Sequence, residues 1–187
     1  VSDLSPLAGL SGLTTLNLRG TQVSDASPLT GLSRLTTLDL SGTQVSDLSP
    51  LPGLSGITTL YLSVTEVSDL SPLARLSALS TLHLYGAQVS DLSPLAGLST
   101  LHLHTQMSDL SPLARLSGLS TLHLYDKQVS DLSPLAGLTE LTTLNLRGTE
   151  VADLSPLAGM KKLEGIYLRN DQQVRIPDSL EKVVRRF

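Results

Sequence analysis

Apolar residues in this chain recur first at steps of three and then at a step of two, over and over. In residues 1–22 they fall at Val1, Leu4, Leu7, Leu10, Leu13, Leu16 and Leu18. Steps of three suit a tight helical or 3₁₀ turn. A step of two suits a strand, whose side chains alternate between faces. Each unit therefore reads as a tight helical turn followed by a short strand. The unit recurs from Val1, Val23, Val45, Val67, Val89, Met107, Val129 and Val151, with one short fifth unit at 89–106. A fixed period of this size predicts a stacked array in which every unit buries its apolar face against its neighbours.

The polar positions punctuate the same period. Ser5-Pro6 and its seven equivalents mark the start of each helical turn. Proline suits the first helical position, and the serine hydroxyl is expected to cap free N–H groups. Asp3 and its equivalents are expected to accept backbone N–H bonds in the loop.

The strand portion reads Leu13-Thr-Thr-Leu-Asn-Leu-Arg-Gly-Thr21. On this signature the chain resembles the leucine-rich-repeat family. The Asp-Leu-Ser-Pro-Leu-Ala-Gly-Leu segment resembles its bacterial internalin type, over about residues 1–172. The resemblance implies an α/β repeat solenoid, a horseshoe with a concave parallel β-sheet and a convex side of short 3₁₀ or helical turns. It also implies recognition roles, from host-receptor binding by surface proteins to ligand sensing within larger intracellular ones. The family places Asn at the ninth signature position, where it bonds the next coil. Here Thr21, Thr43, Thr65, Thr105 and Thr149 stand there, with Ala87, Lys127 and Asp171 as exceptions. A Thr hydroxyl is expected to bridge coils, and Ala87 cannot. The turn near Ala87 and the short fifth repeat are expected to be the least regular part, with a local change in curvature.

Alternation along the strands gives three solvent-facing columns. The first runs Thr15, Thr37, Thr59, Thr81, Thr100, Thr121, Thr143, Gly165. The second runs Asn17, Asp39, Tyr61, His83, His102, His123, Asn145, Tyr167. The third runs Arg19, Ser41, Ser63, Tyr85, His104, Tyr125, Arg147, Arg169. All four His and all four Tyr fall in the second and third columns. Strand propensity explains exposed tyrosines but not one contiguous block on strands three to six. Tyrosine offers a large, stiff contact area with a polar tip, and Tyr and Arg are enriched at binding hot spots. The predicted partner-binding set is Tyr61, His83, Tyr85, His102, His104, His123, Tyr125, Asn145, Arg147, Tyr167 and Arg169. So flat a surface suits a protein or extended peptide better than a small molecule.

Composition narrows the classes. Hydrophobic residues make up 40%, aromatics only 3%, and there is no Trp, so the core is aliphatic. The absence of Cys excludes disulfides and Cys-ligated metals. The net charge is −4. Residues 1–157 hold six Lys/Arg against thirteen Asp/Glu, and residues 158–187 hold seven against four, giving −7 and +3. The acidic body speaks against nucleic acid, which needs a basic stripe. The basic end reads as a solvated terminus, with contact to an acidic partner as its alternative. No apolar run reaches membrane-spanning length, and no cofactor is expected. The chain begins at a repeat start with no polar cap, so it reads as a monomeric module of a longer chain.

Three rival chemistries attach to the histidines. His83, His102, His104 and His123 could share a zinc, copper or nickel ion. Titration of the cluster could switch binding between about pH 5.5 and 7. Hydrolytic catalysis is disfavoured, because the Ser-Asp pairs lie in loops and turns while every His is on a strand. A purely structural spacer is the remaining reading. Beyond Gln172 the pattern breaks. Val174 can start a ninth repeat, and Pro177-Asp178 followed by Leu180, Val183, Val184 and Phe187 predicts a short amphipathic helix. Residues 173–187 are thus expected to be a capping helix or the start of a connector.

Overall fold

In the computed structural model, residues 1–86, 89–104, 109–125 and 127–187 are described. Every coil contributes one strand: β1 (Thr15–Asn17), β2 (Thr37–Asp39), β3 (Thr59–Tyr61), β4 (Thr81–Tyr85), β5 (Thr100–His104), β6 (Thr121–Leu124), β7 (Thr143–Asn145), β8 (Gly165–Leu168) and β9 (Val184–Arg186). They form one parallel sheet in sequence order. The sheet lines the concave side of the solenoid, and short 3₁₀ turns, such as Ser27–Gly31 and Ser71–Arg75, form the convex side. The register follows the period, with Thr15 beside Thr37, Thr37 beside Thr59, and Thr59 beside Thr81. It holds through the short fifth repeat, where Thr81, Thr100 and Thr121 are consecutive neighbours. Ala87, near which irregularity was expected, lies outside the described residues, as does the ninth-position Thr105 of the fifth repeat.

Behind the sheet, Leu38, Leu60, Leu82, Leu101, Leu122, Leu144 and Ile166 form a row with no solvent exposure. Full burial of each such side chain is worth about 1.5–3 kcal/mol. Aliphatic layers therefore supply the cohesion, as composition requires.

Polar satisfaction departs from the sequence reading in two places. The serines do not cap the turns. In all eight repeats the Asp two residues earlier accepts the serine N–H, as Asp25 does from Ser27 at 2.8 Å. A carboxylate is the stronger acceptor, so it takes the orphan N–H. Four of the ninth-position threonines donate within their own coil rather than across coils, and Thr149 Oγ1 meets the next coil only as an acceptor from Gln172 Nε2 at 3.5 Å. Thr21, Thr43, Thr65 and Thr149 donate back to the carbonyl three residues earlier in their own coil, at 2.6–2.8 Å. Each hydroxyl has one proton to donate, and here it is committed within its own coil. Bridging falls instead to the residue before the first column. Thr36, Thr58, Ser80, Ser99, Ser120 and Thr142 each donate to the preceding coil's carbonyl at 3.0–3.2 Å. At the C-terminal end Gln172 takes over, its Nε2 donating to Thr149 O (3.3 Å) and Val151 O (3.2 Å).

The expected helix after Gln172 is instead a single 3₁₀ turn, Asp178–Leu180, followed by β9. Val184 pairs with Ile166 and Arg185 with Tyr167. The edge of β8 offers a row of free backbone groups that a ninth strand satisfies and a helix would not. Leu180 is buried beneath it.

Candidate functional site

The second and third columns fall on one face because residues two apart on a strand share a side. The observed register sets Tyr61, His83, His102 and His123 side by side. Their rings stack into a continuous ladder. Tyr61 and His83 have centroids 4.2 Å apart at 16°, His83 and His102 4.0 Å at 16°, and His102 and His123 4.1 Å at 14°. Beside the ladder lies a second layer, in which Tyr85 is 6.0 Å from His104 and 5.6 Å from Tyr125. His104 is exposed, and the other ladder and layer rings are half-buried.

Asn and Asp at the flanks of the second column behave differently. Asn17, Asp39 and Asn145 turn onto the backbone, each accepting the N–H of the residue two positions on. Asn145, expected on the contact surface, is only 6% exposed. Its Oδ1 accepts the Arg147 N–H at 3.1 Å, which fixes the amide so that Nδ2 faces Tyr125 OH (3.2 Å) and His123 Nδ1 (3.3 Å). Nδ2 is donor-only, so the tautomer that suits both contacts leaves His123 Nδ1 as the acceptor, with Tyr125 O–H donating to it at 3.0 Å. Asn145 is thus a positioning residue for this pair, and its amide assigns the His123 proton to Nε2.

Electrostatics keep the ladder neutral. Burial against neighbouring rings pushes His83 and His102 below the ordinary histidine range, with His123 adding to both and His83 adding to His102. His102, in the middle, falls to about 4. Burial, then the Arg147 charge, lowers His123. Burial, then Tyr125, raises Tyr85 to about 12. The expected window between pH 5.5 and 7 therefore moves to lower pH for the three stacked imidazoles, because desolvation penalises their charged form.

The ladder geometry also bears on metal binding. An imidazole binds a metal in its ring plane, along a nitrogen lone pair. Parallel rings about 4 Å apart cannot aim two such lone pairs at one ion. Among the described residues no group of three or more candidate ligands converges on a point. The Ser-Asp pairs, such as Ser111 Oγ on Asp109 Oδ1 at 2.6 Å, bond each other at the start of the 3₁₀ turns, on segments separate from the histidine-bearing strands.

A second cluster occupies the C-terminal end of the face. Tyr167 stacks with Phe187 at 5.9 Å and 24°. The Arg147 guanidinium carbon lies 4.6 Å from the Phe187 centroid and 5.8 Å from that of Tyr167. Gly165 makes room: a Cβ there would come within 2.9 Å of the Tyr167 ring. Arg169, also expected on the surface, pairs with Asp171 at 3.1 Å. Sequence reasoning missed Phe187 because it assigned that residue to the inner side of a helix. Continuing the columns through Arg185 places Phe187 beside Arg169, and this extrapolation was the available signal.

A leucine-rich-repeat profile (two copies) matches residues 11–53. No significant match was found among curated protein sequences. Solved structures give fuller matches. Internalin C2 of Listeria monocytogenes is 40% identical, with a TM-score of 0.77, over 90% of this chain and 76% of that one. Internalin F of the same organism is 28% identical, with a TM-score of 0.76, over 99% of this chain and 63% of that one. The chain thus spans somewhat under two thirds of internalin F. The functional domain of InlJ shares the fold, at 19% identity and a TM-score of 0.62.

Proposed function

The chain belongs to the internalin-type leucine-rich-repeat family, and we propose that it is a non-catalytic interaction module that grips a protein or extended peptide with its concave face. The block formed by Tyr61, His83, Tyr85, His102, His104, His123 and Tyr125 is the centre of that grip.

One observation carries this reading. The ring ladder runs unbroken across four coils on the solvent side of the sheet, with Tyr85 touching His104 and Tyr125 beside it, where leucine layers already supply the cohesion. A spacer has no need of such a block. Stacked rings also lose little freedom on binding, which favours affinity from a flat surface.

Selection of a displayed library of folded domains and peptides on the wild-type chain tests it. Clones are then measured against a variant carrying Tyr85→Ala, His104→Ala and Tyr125→Ala. Three hot-spot truncations are expected to weaken most clones by about a hundredfold or more. Clones that bind the variant as tightly would refute the reading.

A further inference from the structure

Arg147, Tyr167, Phe187 and Arg185 gather at the C-terminal end of the concave face, apart from the His/Tyr centre. Among the described residues the ion pairs are Lys162 with Glu140 and Arg169 with Asp171. Arg147 and Arg185 enter neither. Arg185 Nη1 donates to the backbone carbonyls of Lys182 (2.6 Å) and Val184 (3.0 Å), which hold the group without neutralising it. Arg147 Nε is shielded and has no hydrogen-bond partner. The two aromatic rings are what position its guanidinium. A guanidinium resting on a ring face keeps in-plane Nη–H groups for a carboxylate, and its rotamer entropy is already spent.

We propose that this cluster reads a carboxylate: an acidic side chain of the partner protein docks on Arg147, held on the Tyr167 and Phe187 rings, and fixes which way round the partner lies across the coils. The proposal rests on the concave face being the binding surface. Charge distribution favours this occupant and this end. Residues 158–187 carry +3 and the remainder carries −7, so an acidic segment is repelled by the body and drawn to the C-terminal end, against which Arg147 lies through Tyr167 and Phe187. Arg147 also depresses His123. A carboxylate on Arg147 cancels that charge, so docking raises the proton affinity of His123.

The probe is a pentapeptide of one tryptophan and four glutamates, compared with its glutamine counterpart. The chain has no Trp, so peptide fluorescence reports binding alone. The glutamate peptide is expected to bind and to raise the His123 titration midpoint seen by NMR. Arg147→Gln should weaken it about tenfold, and Arg19→Gln, at the far end of the same column, by less than about twofold. Equal affinity for the two peptides overturns the proposal, as does equal loss from Arg19→Gln. Should Arg147→Gln fail to fold, the peptide pair on the wild-type chain still decides. The displayed clones are scored against the Tyr85/His104/Tyr125 triple variant independently of the peptide pair, so failure here and failure of the concave-face reading are separately visible.

Discussion

The imidazole of His102 is stacked on that of His123, centroids 4.1 Å apart and planes 14° from parallel. Two such rings cannot both be charged without strong repulsion, so folding is linked to proton release. The folded midpoint of His102, about 4, lies below the unfolded value of about 6.5. Between those values the unfolded chain holds a proton that the folded chain lacks. Stability is therefore full above about pH 6.5 and is lost as the pH falls towards 4. Melting temperature from pH 7.5 to 4.5 should drop, and less steeply for His102→Gln. Parallel curves for the two proteins would refute the linkage. The loop carboxylates act in a separate window. Serine hydrogen bonds lower Asp3, Asp25 and Asp47, so their contribution is lost only as the pH falls below the ordinary carboxylate range.

Asn145 dictates the His123 tautomer through an amide held by the Arg147 N–H. Asn145→Asp keeps the acceptor for Arg147 and replaces the facing NH₂ with a carboxylate oxygen. That oxygen invites a proton onto His123 Nδ1. The His123 midpoint is expected to rise in the variant, with His102 less affected. NMR titration of the ring protons checks this, and an unmoved His123 would show that the amide does not set the tautomer.

How much of this was legible in the sequence differs by element. The period alone gave strand existence, register and the membership of the three columns, because each coil repeats the same in–out alternation. The ladder's neutrality was not legible: His102 in isolation is an ordinary histidine, and only the rings on both sides desolvate it. β9 was hidden because Val183 and Val184 are adjacent apolar residues, and Val184–Arg186 is too short to display alternation. The coil-bridging hydroxyls escaped notice because Ser and Thr alternate there without a motif. Gln172 escaped because it sits one place after Asp171, the nominal ninth position.

Gln172 is that bridge for the last coils. Its side chain is 6% exposed and spans to Thr149 and Val151. Gln172→Ala leaves two carbonyls without this donor, and is expected to cost about 1–3 kcal/mol. Loosening coils eight and nine should also free Phe187 from Arg147. Urea unfolding checks the first effect, and ring-proton shifts of Tyr167 the second. A variant unchanged in both would show that the bridge is idle.

Val64 occupies a position that coils one, two, four and seven give to glycine. Gly20, Gly42 and Gly86 have φ of 69°, 68° and 69°, and Val64 has φ of 55°. For a β-branched residue this region is strained. The sheet imposes it, because the N–H at this position bonds the next coil: Gly20 to Ser41 O, Gly42 to Ser63 O, Val64 to Tyr85 O and Gly86 to His104 O. Strain of this kind costs about 1–3 kcal/mol, and Val64 is 68% exposed, so burial offsets little of it. Val64→Gly removes the strain but adds about 0.5–1 kcal/mol of unfolded-chain freedom. The net expectation is a gain of about 1 kcal/mol, read as a higher urea midpoint at unchanged slope. A lower midpoint would mean that Val64 makes contacts outweighing its backbone. Because Val64 stands on the rim beside Tyr85, the same variant belongs in the clone panel above. Greater stability with weaker binding would mark the strain as maintained for contact.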